Sequence, residues 1–146
     1  MPILILLIFI IAIDQLSKFY VQTVMPLGLS IPVIPNVFHI TYILNPGAAF
    51  GILENQRLFF ILVAVVILIA AVCFYSRLQR EPKLIRYGAG LLLGGAAGNL
   101  IDRIQTGYVI DFFDFRIWPI FNIADIAIVV GVAFVIYSVF LQAKDD

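Results

Sequence analysis

Four long apolar runs, separated by shorter polar connections, dominate the pattern of this chain. Each run is long enough to cross ~30 Å of hydrocarbon at ~1.5 Å per helical residue. The pattern therefore predicts an all-α membrane protein with four transmembrane helices. The predicted spans are approximately residues 2–24, 57–76, 84–104 and 120–142.

The segment of about residues 25–56, between the first two spans, has a different pattern. Proline and glycine punctuate it, and residues 37–44 are rich in β-branched and aromatic side chains, which is typical of a β-strand. Alternate residues of this stretch would share one strand face. We therefore expect a small β-sheet in this loop, lying on the outer surface of the membrane.

Composition agrees with this interpretation. Of the 146 residues, 63% are hydrophobic and only 12% are charged, and the mean hydropathy is +1.10, far above that of a soluble domain. The length suits one integral membrane domain over residues 1–146. The formal net charge is zero, so nothing indicates a nucleic-acid partner.

The distribution of basic residues predicts the orientation. The short connection 77–83 contains Arg77, Arg80 and Lys83, whereas residues 25–56 contain no Lys or Arg and residues 105–119 contain only Arg116. By the positive-inside rule, both termini and the basic connection are cytoplasmic. The two longer loops would then face outward.

Strongly polar residues are confined to the outer halves of the predicted spans, and the inner halves are almost entirely apolar. A charged side chain in lipid costs roughly 2.5 kcal/mol, so these groups must face one another inside a helical bundle. A transport pathway needs polar groups through the full thickness, whereas this cluster opens only outward. Its members are Asp14, Lys18, Asn99, Asp102, Arg103, Asn122 and Asp125.

Spacing predicts how parts of this cluster form. Asp14 and Lys18 are four residues apart, which favours a buried ion pair on one helix face. Gly90, Gly94 and Gly98 recur every four residues, a pattern that lets a neighbouring helix approach closely. Outside the cluster we expect Cys73 to pack in the core, and Asp114 and Arg116 to be loop charges in water.

Asp111 and Asp125 flank the connection that leads into the last span. Two carboxylates held close together share one proton, so the ionised partner can take a proton from water while the protonated partner polarises a peptide carbonyl. This pair therefore suits the chemistry of an aspartic peptidase. The spacing alone also allows a proton- or ion-coupled transport subunit, or a non-catalytic lipid-binding or assembly protein.

Other chemistries have weaker candidates. Ser17 and Lys18 are adjacent, so they point about 100° apart on a helix and do not favour a serine/lysine dyad. The single histidine, His39, cannot build a histidine-rich zinc site, and the single cysteine, Cys73, cannot form an internal disulfide. We therefore expect chemistry without a metal or another cofactor.

Five motifs carry a resemblance to a known family over essentially the full length of the chain. The chain resembles the lipoprotein signal peptidases, also called signal peptidase II. Any one motif would be weak, but five in this order on four predicted spans are highly specific. The motifs are DQLSK (14–18), NPGAAF (45–50), GAAGNLIDR (95–103), VIDF (109–112) and FNIAD (121–125).

The resemblance implies an aspartic endopeptidase of the bacterial plasma membrane, with its active site toward the outer face. Its substrate would be a prolipoprotein, cut just before a cysteine that carries diacylglycerol. The resemblance assigns the catalytic dyad to Asp111 and Asp125, and contacts with the substrate or the inhibitor globomycin to Asn45 and Arg103. The supporting polar positions would be Asp14, Lys18, Asn99, Asp102 and Asn122.

Overall fold

The structure is a computed structural model that describes residues 2–47 and 53–145. The segment Ala48, Ala49 and Phe50 of the NPGAAF motif lies outside the described residues. In chain order the elements are α1 (Pro2–Val24), β1 (Ser30–Ile34), β2 (Phe38–Asn45), α2 (Arg57–Cys73), α3 (Tyr75–Leu78), α4 (Lys83–Gln105), β3 (Val109–Asp114) and α5 (Ile123–Asp145).

Three helices, α1, α4 and α5, are long and apolar enough to cross a membrane. The predicted second span differs, because α2 contains 17 residues and ends at Cys73. Phe74 then leaves helical geometry, with φ −99° and ψ 11°, and the four-residue helix α3 follows. Cys73 is exposed, so its predicted core position is wrong.

Helix α4 lies between α1 and α5 and contacts each of them through glycine. A Cβ atom on Gly90 or Gly94 would meet backbone and side-chain atoms of α1, whereas one on Gly88 or Gly95 would meet α5. The close helix approach predicted from the glycine spacing is thus confirmed for α1. A second glycine face, not predicted from the sequence, joins α4 to α5.

The sheet is antiparallel and has the order β1-β2-β3. The small sheet expected within residues 25–56 is present there as a hairpin of β1 and β2, and Asn36 lies in its turn with a positive φ of 60°. The third strand, β3, follows α4 instead, so the sheet is not confined to the loop between the first two helices. Residues 105–119 were interpreted only as a connection between two spans, but they contain β3. This strand is hydrogen-bonded to β2, which is distant in the sequence.

One face of the sheet rests on the C-terminal end of α1. Tyr42, Ile110 and Phe112 are buried there against Val21 and Met25. Tyr42 comes from β2 and the other two sheet residues from β3, which alternates its side chains between two faces. Packing of Ile110 and Phe112 on α1 therefore turns the intervening Asp111 toward the opposite side.

Candidate active site

Asp111 lies in the middle of β3, opposite Ile43 of β2. Its side chain is almost completely buried, at 1% exposure. The carboxylate accepts hydrogen bonds from both sides: Asn45 Nδ2 donates to Oδ2 at 2.9 Å, and Asn122 Nδ2 donates to Oδ1 at 2.7 Å. The sheet and the start of α5 together fix its orientation.

Asp125 lies in the first turn of α5, and its position follows from a capping box with Asn122. Asn122 Oδ1 accepts the backbone N–H of Asp125 at 2.9 Å, and Asp125 Oδ2 accepts the backbone N–H of Asn122 at 3.1 Å. The other oxygen, Oδ1, accepts from Asn99 Nδ2 at 2.8 Å. The N-terminus of a helix also favours a negative charge at this position.

Asn122 links the two aspartates directly. Its side chain is fully buried, at 0% exposure. The amide oxygen is used by the capping box, so the amide nitrogen is left to donate to Asp111 and, at 3.1 Å, to Asn99 Oδ1. One residue therefore sets the relative position of both carboxylates.

The electrostatics of Asp111 reflect this proximity. Burial raises the pKa of the Asp111 carboxyl, and the nearby charge of Asp125 raises it further. Hydrogen bonds from Asn45 and Asn122 oppose the shift, but the pKa still rises to about 7. At neutral pH the pair can therefore hold a single proton, as a general acid and a general base require.

Lys18, in α1, is also buried, at 1% exposure. Its Nζ is 2.8 Å from Asp14 Oδ2 and 2.8 Å from Asp102 Oδ2, and it donates to Asn99 Oδ1 at 3.0 Å. The ion pair predicted from the spacing of Asp14 and Lys18 is confirmed. Asp102 of α4 contacts the same ammonium group, although it lies 84 residues after Lys18 in the chain.

Both dyad carboxylates line a cavity of about 670 Å³. Its polar end also includes Asn45, Asn99 and Arg103. Arg103 donates to the carbonyl oxygen of Gly47 at 3.0 Å and lies 4.5 Å from the centre of the Phe60 ring. The rest of the lining is mainly apolar and comes mostly from α2, α5 and residues 118–121. The residues from the two helices include Val63, Ala64, Ile67, Ile128 and Val129.

Comparison with known proteins agrees with the fold. The model of a family described as signal peptidase (SPase) II matches residues 6–141. The chain belongs to the signal peptidase II family. The predicted family resemblance is therefore confirmed.

Similarity to individual family members extends over whole chains. The lipoprotein signal peptidase of Moorella thermoacetica is 48% identical over 100% of this chain and 97% of its own length. That of Pelotomaculum thermopropionicum is 46% identical over 93% of this chain and 89% of its own length. A bacterial membrane enzyme solved by the in meso method at 2.3 Å aligns with a TM-score of 0.91 and 36% identity, over 99% of this chain and 90% of that chain.

In this signal peptidase II family member, the prediction that Asp114 is a loop charge in water is wrong. It is 3% exposed and accepts from Thr41 Oγ1 at 2.8 Å, from the backbone N–H of Arg116 at 2.9 Å and from Arg116 Nη1 at 2.8 Å. Burial alone would raise the pKa of Asp114, but these hydrogen bonds and the Arg116 charge hold it below its usual range. The sheet supplies Thr41, which sequence spacing could not pair with Asp114.

Sequence reasoning also missed Gln15 and Phe60. Gln15 Nε2 donates to Asp102 Oδ1 at 2.8 Å, and Phe60 packs under Arg103. The position of Gln15 inside the DQLSK motif was the only feature of the sequence that indicated its role. Phe60 looks like an ordinary apolar residue of α2. Within residues 2–47 and 53–145, no group of three or more His, Cys, Asp or Glu side chains could hold a metal ion.

Proposed function

We propose that this chain is an aspartic endopeptidase that removes the signal peptide from bacterial prolipoproteins, with Asp111 and Asp125 as its catalytic dyad. The observation that carries the proposal is the Asn122 side chain, which binds both aspartates at the polar end of one cavity. The family membership supplies the substrate class. The dyad requires neither a metal nor another cofactor.

The proposed reaction begins with a water molecule between the two carboxyl groups. Asp111, with its pKa near 7, holds the proton, and Asp125 is ionised. Asp125 takes a proton from the water as the hydroxyl attacks the scissile carbonyl carbon, while Asp111 gives its proton to the carbonyl oxygen. The tetrahedral intermediate then collapses: its C–N bond breaks, the proton on Asp125 passes to the leaving nitrogen, and a hydroxyl proton returns to Asp111.

The cavity lining supports a substrate that is partly lipid. Its apolar side can receive the signal peptide helix, and the diacylglyceryl chains can remain in the bilayer beside α2 and α5. Asn45 and Arg103 lie at the polar end next to the dyad, where they would bind peptide carbonyl groups near the cut. The same groups would contact globomycin, an inhibitor expected from the family resemblance.

We further propose that α2, extended by α3, forms a fourth span. Its 17 residues cover about 25 Å, and the four residues of α3 continue inward toward the basic residues Arg80 and Lys83. Four spans place both termini in the cytoplasm of the bacterium and the dyad toward the outer face of the plasma membrane. The whole chain, residues 1–146, then forms one membrane domain.

Cleavage by the purified protein tests this function. The protein in liposomes should cut a diacylglyceryl-modified prolipoprotein immediately before the modified cysteine. The same prolipoprotein without diacylglycerol is the matched control and should be cut much more slowly. Proton or ion flux across the liposome without any cleavage would contradict the proposal and favour a transport subunit.

A further inference from the structure

The buried ammonium group of Lys18 has three partners, although an ion pair needs only one. An ammonium group has three protons and no acceptor, and the distances to Asp14, Asp102 and Asn99 account for all three. Each partner comes from the C-terminal half of α1 or α4. Each of these partners also makes a second hydrogen bond, either to a catalytic aspartate or to the residue directly before one.

The two carboxylates each hold a backbone group next to a catalytic aspartate. Asp14 Oδ1 accepts the N–H of Ala124 at 2.9 Å, and Ala124 directly precedes Asp125. Asp102 Oδ2 accepts the N–H of Ile110 at 3.1 Å, and Ile110 directly precedes Asp111. Asp102 and Asp14 therefore hydrogen-bond to β3 and α5, respectively, one residue before each catalytic aspartate.

The third partner, Asn99, contacts the dyad through its side chain. Lys18 and Asn122 both donate to Asn99 Oδ1, so the Asn99 amide nitrogen must face Asp125. The flipped amide would place its NH₂ group against two donors and its oxygen against a carboxylate. Lys18 thus determines which face of Asn99 meets Asp125.

From this geometry we propose that Lys18 is a positioning residue for both catalytic aspartates, acting through Asp14, Asp102 and Asn99 rather than serving only as half of an ion pair. The proposal rests on the proposed peptidase function. Within the described residues, Lys18 is absent from the cavity lining. Its removal should therefore impair turnover rather than substrate binding.

The test compares Lys18→Met with the double variant Asp14→Asn/Lys18→Met, using cleavage of diacylglyceryl-modified prolipoprotein. The double variant keeps the net charge of the cluster, since it removes one negative and one positive charge. It remains interpretable if the single variant, with two uncompensated carboxylates, does not fold. Rates are expressed per folded molecule, as measured by thermal unfolding.

We expect kcat to fall by roughly 100-fold in both variants, the effect of misplacing reacting groups by about 1 Å, with KM changed by less than threefold. Lys18→Met should also move the alkaline limb of the kcat profile to higher pH, because the Lys18 charge lowers the pKa of Asp111. The other charged groups at this site are Asp14 from α1, Asp102 and Arg103 from α4, and Asp125 from α5.

Arg116→Met is the matched control. It removes the cation of a separate ion pair, the one with Asp114, and leaves Asp14, Asp102 and Asn99 in place. We expect lower thermal stability, with kcat and its pH profile unchanged.

Folded Lys18 variants with near wild-type kcat and an unchanged pH profile would overturn the positioning role. Equal loss of kcat in Arg116→Met would overturn it as well, since loss of any ion pair near the sheet would then suffice. If wild-type protein does not cleave the prolipoprotein, the proposed function itself fails. The two failures are therefore distinguishable.

Discussion

The two helices α4 and α2 line the same cavity but differ in packing. Nine residues of α4 are buried, and its glycines bring α1 and α5 into close contact. None of the 17 residues of α2 is buried, and its contribution to the cavity is apolar. Among the described residues, Asn99 of α4 hydrogen-bonds Asp125, whereas no residue of α2 hydrogen-bonds either aspartate.

This difference separates two tasks. Catalytic groups need positions fixed to a fraction of an ångström, and close packing on α4 provides such a frame. A wall that receives apolar chains of varied shape requires mainly size and hydrophobicity. Substitutions on the α4 side should therefore impair turnover, whereas those on α2 should impair binding.

Gly95→Ala should have the largest effect on this comparison. Its new methyl group would overlap the carbonyl oxygen of Ala124, directly before Asp125, so α5 must shift. We expect about 1–3 kcal/mol lower stability from overpacking and roughly 100-fold lower kcat. Val66→Ile, at an exposed position of α2 outside the cavity lining, is the control; equal losses in both variants would contradict the distinction between the two helices.

Ala64→Phe should narrow the apolar part of the cavity from α2. We expect kcat/KM to fall about 10-fold through KM, in the range of steric discrimination by apolar pockets, with kcat and its pH profile retained. Val66→Phe also introduces a phenyl ring, at an exposed position of α2 outside the cavity lining, and should leave KM unchanged. A loss confined to kcat would show that α2 also positions the dyad.

Asn45→Ala should shift the pH dependence more than the maximum rate. In wild-type protein, kcat should decline as pH rises through about 7, because Asp111 then loses its proton. Asn45 donates to the ionised form, so its removal raises the pKa of Asp111 further and moves the alkaline limb upward by roughly 1 pH unit. Thr41→Val is the control, because Thr41 lies on the same strand but is hydrogen-bonded to Asp114; it should leave the alkaline limb in place. A shift of this limb to lower pH in Asn45→Ala would contradict the assigned effect of Asn45 on the pKa of Asp111.

Asp114→Asn should have the smallest effect on turnover and act on stability instead. Because the pKa of Asp114 is lower in the folded protein, its contribution is present above the unfolded pKa and disappears as pH falls through the folded one. We expect about 1–3 kcal/mol lower stability at pH 7 and a smaller difference in acid, measured by thermal unfolding. Glu54→Gln, at an exposed position, should show no such trend; a deficit for Asp114→Asn that grows in acid would contradict it.

The apolar pattern predicted the long helices well, because burial in lipid or in a bundle requires continuous hydrophobic runs. The predicted spans 2–24 and 84–104 lie within one residue of the ends of α1 and α4. The last helix begins three residues later than predicted, because Asn122 caps it. The Asn-x-x-Asp spacing that forms this cap is visible in the sequence.

Contacts over long sequence distance could not be predicted in the same way. Strand β3 has six residues in a stretch that reads as a connection, and its pairing with β2 decides its structure. The spacing of Asp111 and Asp125 allowed a dyad, but the role of Asn122 in joining them required the folded chain. The same holds for Lys18, whose local partner Asp14 was predicted and whose contacts with Asp102 and Asn99 were not.

The most direct measurement is cleavage of a diacylglyceryl-modified prolipoprotein by Asp111→Asn and Asp125→Asn, with Asp114→Asn as the matched control. Thermal unfolding establishes that each variant folds. Both dyad variants should lose turnover by roughly 10²–10⁴-fold, the contribution of a general acid or base, while Asp114→Asn remains within about threefold of wild type. Near wild-type turnover in either folded dyad variant would contradict the assignment of Asp111 and Asp125 as the catalytic pair.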